Sequence, residues 1–317
     1  MQSALNAPHL RDEAAAFAYV EARLWPHGPV CHHCGVIGEA TAMKGKTTRV
    51  GLYNCRACRK PFTVRMGTIF ESSHVPLHVW LQAIYLICSS KKGISTRQMQ
   101  RTLGGSMKTA WFLMHRIREA MRDGKLGPLG GENMVVEADE TYYGHDGNYL
   151  ARGGKNMNAV LSMVDRKTGR VRSMVLNNVT ANAVAKAVGA NVAPDTRLLT
   201  DSARAYRRIG AQLADHQSVN HSIHEYVRKG EPDVHTNTVE GTFSIFKRGM
   251  RGIYQHCAAK HLPRYLAEFD FRYSNRIALG VDDRTRADNA LMGVVGKRLT
   301  YETVSARRPG EEVRIIW

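Results

Sequence analysis

Met134-Val-Val-Glu-Ala-Asp139-Glu-Thr-Tyr-Tyr-Gly144 is the stretch on which the fold turns. Its first five residues are apolar apart from Glu137, which predicts a strand over 134–138 closed by Asp139. An acid in that place suits a core poorly and a site at a sheet edge well. Side chains alternate along a strand, so Glu137 falls on the face of Asp139 and Glu140 on the other. For both glutamates, support of a site and a solvated position stay open.

The same pattern returns twice downstream. LLTDSARAY (198–206) sets Asp201 at the end of an apolar strand over 196–200. HTNTVEGTFSIFKRG (235–249) opens a helix over about 238–248, with Glu240 at its start and Lys247 two turns on along the same face. Strands are expected over 159–164 and 171–176, and helices over 182–192 and 261–276. In the last of these, Leu262, Leu266, Phe269 and Tyr273 recur at helical spacing and share one apolar face. Strands mixed with helices argue for an α/β or α+β domain.

Three carboxylates carried on two strands and a helix can converge on divalent cations, which take hard oxygen ligands and serve phosphoryl transfer in pairs. His235 and Asn237, just ahead of Glu240, are read either as DNA contacts or as ordering the start of its helix. His221 and His224 form an HxxH pair whose role stays open, a second metal site among the possibilities. Tyr142, Tyr143 and Trp111 are read as core residues rather than base-stacking groups.

Upstream, Cys31-His-His-Cys34 and Cys55-Arg-Ala-Cys58 are two CxxC turns twenty residues apart. Each turn offers two thiolates, and Zn²⁺ takes four soft or borderline ligands in a tetrahedron. The gap accommodates a small hairpin, so Cys31, Cys34, Cys55 and Cys58 are expected to hold a structural zinc in a zinc ribbon. Cys88 and Cys257 read as small apolar residues. Gly45-Lys46-Thr47 has the form of the end of a phosphate-binding loop, but Ala40 stands where that loop requires its first glycine. No nucleotide cofactor is expected.

Residues 76–122 read as helices. Ser95 with Gln98 has the form of a capping box, Gly104-Gly105 ends that helix, and Ser106 caps a second one running to about Arg122. Ala110, Met114, Ile117 and Met121 make the inward face of the second helix, leaving Lys108, Arg116, Arg118 and Arg122 for the surface. The pair reads as a helix-turn-helix with Lys108 and Arg116 as DNA contacts, or as an ordinary hairpin with a solvated basic face. GKLGPLGG (124–131) reads as a linker.

Composition points the same way. Of 317 residues 45 are Lys or Arg and 28 Asp or Glu, a net charge of +17 and a pI near 9.8. Residues 1–130 carry +11 of this charge and 131–317 carry +6. That balance suits double-stranded DNA and argues against an ordinary metabolic enzyme. The 43% of hydrophobic residues exclude a disordered basic tail. The longest apolar stretch, about 79–88, falls short of the ~20 residues of a membrane span, and no secretory signal follows Met1. A cytoplasmic protein, nucleoid-associated when on DNA, is expected.

The order VEADETY, then LLTDSARAY 62 residues on, then HTNTVEGTFSIFKRG after another 39, resembles the DDE-type transposases of bacterial insertion sequences. More narrowly it is similar to the group that carries an N-terminal zinc ribbon before an ISXO-type transposase domain. PFTVRMGTIFESSHVPLHVWLQAIYLICSSKKGIS (61–95), KTAWFLMHRIREAM (108–121), NHSIHEYV (220–227) and KHLPRYLAEFDFRYSNR (260–276) resemble further blocks of that group, so the likeness covers roughly 20–280. One departure is Gly241-Thr242 after Glu240, where better helix formers are expected.

The resemblance implies a multi-domain chain. An N-terminal helix and zinc ribbon over 1–70 and a helical, helix-turn-helix-like DNA-binding region over 71–127 would precede an α/β ribonuclease-H-like catalytic domain over 128–280. Residues 281–317 form a C-terminal extension without an assigned role. It further implies dependence on Mg²⁺ (or Mn²⁺) and a homo-oligomer on the transposon ends and target. Asp139, Asp201 and Glu240 fall on the family's metal-binding acids and Lys247 on its basic residue after the third acid. On this hypothesis Asp139 bridges two Mg²⁺ ions, Asp201 and Glu240 each complete one coordination shell, and Lys247 contacts a phosphate. Two other functions stay open: a non-catalytic DNA-binding regulator, and a ribonuclease-H-like nuclease without strand transfer.

Overall fold

A computed structural model of the chain describes residues 3–122, 127–144 and 157–300. The front half runs α1 (Glu13–Leu24), β1 (Ala40–Ala42), β2 (Tyr53–Cys55), β3 (Pro61–Phe62), α2 (Leu77–Ser89), α3 (Thr96–Leu103) and α4 (Met107–Ala120). There follow β4 (Val135–Tyr143), β5 (Asn158–Asp165), β6 (Val171–Leu176), α5 (Ala181–Gly189), β7 (Arg197–Asp201), α6 (Arg207–Gly210), β8 (Asp215–Val219), β9 (Val227–Arg228) and β10 (Glu231–His235). Three helices end the described chain: α7 (Asn237–Gly249), α8 (Leu262–Ser274) and α9 (Asp283–Met292).

These elements make two compact units. The first takes 1–90, 94–121 and everything from Asp283; the second takes 91–93 and 122–282. No helix among the described residues is long and apolar enough to cross a membrane.

The first unit joins an antiparallel β1-β2-β3 ribbon to a helical core. Asp12 caps α1 on the Ala15 amide at 2.8 Å, and the expected Ser95 and Ser106 caps accept from Gln98 and Thr109, each at 3.1 Å. Trp80, Ile84 and Ile87 of α2 and Met114 and Ile117 of α4 are buried, with Ala290 and Leu291 of α9. Arg286 ties α9 to the end of α2, donating to the Cys88 carbonyl at 2.8 Å. A segment that the sequence leaves as an extension thus completes a core begun near the N-terminus; its last residues, 301–317, lie outside the described ones.

The second unit is a five-stranded sheet in the order β6-β5-β4-β7-β8. β5 alone runs antiparallel to both its neighbours, while β4-β7 and β7-β8 are parallel. This order and these directions are the ribonuclease-H-like arrangement. On one face Val136, Ala138, Leu161, Met163 and Leu198 pack with Val184 and Val188 of α5. On the other, Val160 and Val164 pack under α7 and α8 through Phe243, Phe246, Leu266 and Phe269.

Two expectations need correction here. The first strand does not stop at Asp139 but continues to Tyr143, because β5 pairs with it along its whole length. The stretch read as a linker is described from residue 127, and it packs. Leu129 is buried, donates to the Asn191 carbonyl at 2.7 Å and accepts from Ala193 at 2.9 Å. Gly130, at φ +79°, lies so close to Thr196 that a Cβ would overlap it.

Candidate active site

Parallel pairing of β4 with β7 sets Val135 opposite Arg197 and ends at Glu137 opposite Leu199. The same offset places Asp139 level with Asp201, the last residue of β7. Beyond that level β4 has no β7 neighbour, so a carboxylate there meets open space instead of a strand. Asp139, Glu140 and Asp201 each bring an oxygen within 4.8 Å of the others. Glu140 starts from the opposite face, yet its carboxylate joins the other two, since no strand separates the faces past the end of β7. Of the two roles left open for Glu140, support of the site and a solvated position, its place in this group fits the first.

Main-chain amides orient two of the acids: the Glu140 amide donates to Asp139 Oδ1 at 2.8 Å and the Ala203 amide to Asp201 Oδ1 at 3.0 Å. Burial pushes Asp139 up to about 7, opposed by that Glu140 hydrogen bond and reinforced by the charges of Asp201, Glu140 and Glu240. Burial also pushes Glu140 up to about 7, the nearby Tyr206 hydroxyl acting against the rise and Asp201 with it. No well-formed hydrogen bond joins Glu140 to Tyr206, and Glu140 Oε1 is buried without a partner. A crowded, desolvated set of hard oxygens with an unsatisfied acceptor fits a divalent cation.

Glu240 sits in the first turn of α7, as expected, and its charge reaches Asp139. Its carboxylate is held aside: the Thr236 hydroxyl donates to Oε1 at 3.1 Å and His221 Nε2 lies 3.3 Å from the same atom. His221 therefore faces the third acid, whereas His224 is exposed in the left-handed region at φ 58°. No histidine joins a metal-ligand group among the described residues. Lys247 is half-buried in the last turn of α7, and Asn237 is exposed at its start.

His235 is turned inward. Its Nδ1 accepts from Arg166 Nη2 at 2.8 Å and lies 3.5 Å from Glu137 Oε1. Of the two roles left open for it, ordering the α7 start is the one this geometry supplies. Glu137 is fully buried on the face of Asp139, and Arg166 went unnoticed in the sequence. A charged residue inside an apolar strand demands a buried counterion, and that was the available signal. Tyr142 is exposed, contrary to its reading as core; Tyr143 packs edge-on against Phe246.

In the first unit the four cysteine sulfurs form a compact group. Cys31 and Cys58 Sγ lie 3.6 Å apart and Cys34 and Cys55 Sγ 3.7 Å apart. Disulfides close to ~2.05 Å, whereas a tetrahedron of ~2.3 Å Zn–S bonds has edges of ~3.8 Å. The set fits zinc.

The helical pair matches its expected boundaries but not its expected surface. Arg116 and Arg118 are buried. Arg116 donates to the carbonyls of Ile69 at 2.8 Å, Glu71 at 2.9 Å and Leu299 at 3.1 Å, so it staples the core and is not placed to touch DNA. Only the first turn of α4 is exposed, carrying Lys108; in α3, Arg97 is exposed in the first turn and Arg101 in the last, beside the glycine turn.

Residues 128–274 match the family model of the ISXO2-like transposase domain, and residues 11–61 that of the transposase zinc-ribbon domain. The chain is 26% identical over 264 residues to the uncharacterized protein in transposable element ISH50 of Halobacterium salinarum, covering 78% of this chain and 86% of that protein. Among solved structures, a chain of the simian T-cell lymphotropic virus intasome with PP2A regulatory subunit B56 gamma overlaps at TM-score 0.28 and 14% identity. That overlap covers 54% of this chain and 63% of the other, less than two thirds of its length. The HTLV-2 integrase catalytic core domain in complex with magnesium (trimeric form) overlaps at TM-score 0.27 and 15% identity, over 44% and 86%. Strand order and direction, not these overlaps, identify the fold.

Proposed function

Since the chain belongs to the insertion-sequence transposases that join a zinc ribbon to an ISXO2-like transposase domain, we propose that it binds the ends of its own insertion sequence, cuts there to expose 3′-OH groups, and joins them to target DNA. The observation that carries this reading is the meeting of Asp139, Glu140 and Asp201 at the open end of β7, with Glu240 on the helix above. Asp139, Asp201 and Glu240 are the residues that would hold Mg²⁺ or Mn²⁺. When bound, such ions supply Lewis acidity toward the phosphodiester and lower the pKa of an attacking water.

The chain's own groups do the rest. The amides of Glu140 and Ala203 hold Asp139 and Asp201 in place, and the buried face beneath them limits water. Thr236 and His221 hold the Glu240 carboxylate at the start of α7. Lys247, on the same helix, contacts a phosphate. Lys108 and Arg101 grip the duplex around the α3–α4 turn, with Arg97 at the far end of α3, and the zinc ribbon, held by its four thiolates, adds basic surface. The chain works as a homo-oligomer, because two transposon ends must be brought to one target.

The test is a strand-transfer assay with labelled terminal-repeat DNA, a plasmid target, and Mg²⁺ or EDTA. Metal-dependent joining that Asp139→Asn abolishes is expected, with DNA binding kept. Cleavage without joining would replace this reading with a nuclease, and binding without chemistry in Mg²⁺ with a regulator.

A further inference from the structure

Glu137 is wholly buried in the middle of β4, two residues from Asp139 and on the same face. One of its oxygens accepts the Val239 amide of α7 at 2.8 Å. The other accepts Arg166 Nε at 2.5 Å. Arg166 spends its remaining donors on the β10–α7 junction: Nη1 on the Asp233 carbonyl at 2.6 Å, and Nη2 on the His235 carbonyl and His235 Nδ1, both at 2.8 Å. His235 Nδ1 also accepts the Asn237 amide at 3.3 Å.

One bond, from the Val239 amide to Glu137, runs directly from the first turn of α7 to the sheet, and Arg166 links Glu137 to the end of β10, where the chain enters that helix. The Val239 amide is among those at a helix N-terminus that have no partner within the helix, and the end of the helix where it lies carries partial positive charge. A buried carboxylate there pins the helix in depth and in rotation at once. The residue next to Val239 is Glu240. Glu137 therefore lies two residues from the first acid and one hydrogen bond from the residue beside the third.

We infer that Glu137, with Arg166, is the positioning residue that sets Glu240 against Asp139, so that the metal site assembles from two elements held by one buried ion pair. This rests on the assignment of Glu240 to the metal site made above. The two donors sit on different Glu137 oxygens, so a glutamine at 137 turns its NH₂ group against one of them.

The test is Mn²⁺ affinity in the full chain, read from the electron paramagnetic resonance of free Mn²⁺, for wild type, Glu240→Gln, Glu137→Gln and the double variant. Thermal unfolding and amide exchange run in parallel. Partners behind metal ligands typically contribute about 10–100-fold in affinity, so Glu137→Gln is expected to weaken Mn²⁺ binding by ~10-fold or more. The double variant is expected to bind no more weakly than Glu240→Gln alone, since both changes remove the same ligand. Exchange is expected to quicken at Val239 and Glu240 and not in β5 or β6. Arg166→Lys keeps a cation beside Glu137 but loses the fork to Asp233 and His235. It is the milder variant should Glu137→Gln unfold, and it too is expected to weaken Mn²⁺ binding.

Wild-type Mn²⁺ affinity in folded Glu137→Gln or Arg166→Lys would overturn the inference, as would losses that multiply in the double variant. Wild-type affinity in Glu240→Gln would instead overturn the Glu240 assignment.

Discussion

Asp139 and Glu140 both sit near 7 because folding buries them together, and the sign of the consequence is fixed. A carboxyl raised on folding contributes stability that is fully present below its unfolded value near 4 and lost as pH rises through the folded value near 7. The metal-free protein is therefore expected to melt lower at pH 8 than at pH 5.5. Asp139→Asn should flatten that slope and raise the melting temperature at pH 8, by roughly 2–4 °C for each kcal/mol relieved. Mn²⁺ should raise the wild-type melting temperature more at pH 8 than at pH 5.5, because it competes with protons for the same oxygens. Differential scanning calorimetry across pH, with EDTA or Mn²⁺, reads all three. Equal melting temperatures for wild type and Asp139→Asn at pH 8 would remove the case for a desolvated Asp139. The same variant should lose ~1000-fold or more of strand transfer, the scale of several kcal/mol of transition-state stabilisation.

At the scale of elements, the zinc ribbon and the α3–α4 pair can be separated experimentally. Cys55→Ser should remove the bound zinc, read by elemental analysis as a fall from one equivalent, and loosen the ribbon while the second unit keeps its thermal transition. Lys108→Ala and Arg101→Ala should each reduce the slope of log affinity against log salt by about 1 without changing sequence preference, and Arg116→Ala should instead lower stability. A filter-binding salt series distinguishes them; a salt slope unchanged by Lys108→Ala would remove the α3–α4 turn from the DNA contacts.

The same elements mark where sequence is legible. The caps at Ser95 and Ser106 and the apolar face of α8 are local signals, and the structure keeps each. The 62-residue spacing of Asp139 and Asp201 equals the register offset of β4 and β7, so the level meeting of the two acids was written in the spacing. Glu140 keeps the opposite face that strand alternation gives it; that its carboxylate joins Asp139 and Asp201 at the end of β7 is not legible from alternation alone. Arg116 was misread because its helix is covered by partners as distant in sequence as Leu299, and β8 to β10, short and polar, gave no period to read.

For the whole molecule the order of the chain matters as much as its packing. The first unit begins at the N-terminus and takes its last core helix from residues beyond 282. Deleting 283–317 is expected to remove the buried Ala290, Leu291 and Val294 and the Arg286 tie to Cys88, at a cost of several kcal/mol, a sizeable part of a domain's stability. Limited proteolysis should then cut within the first 121 residues and spare the second unit. Resistance of both units in the truncated chain would show that α9 is dispensable.

That arrangement reaches into how the protein is born. On the ribosome, the second unit can fold as soon as it emerges, but the first waits for the residues of α9. A nascent or prematurely stopped chain therefore lacks a finished N-terminal unit.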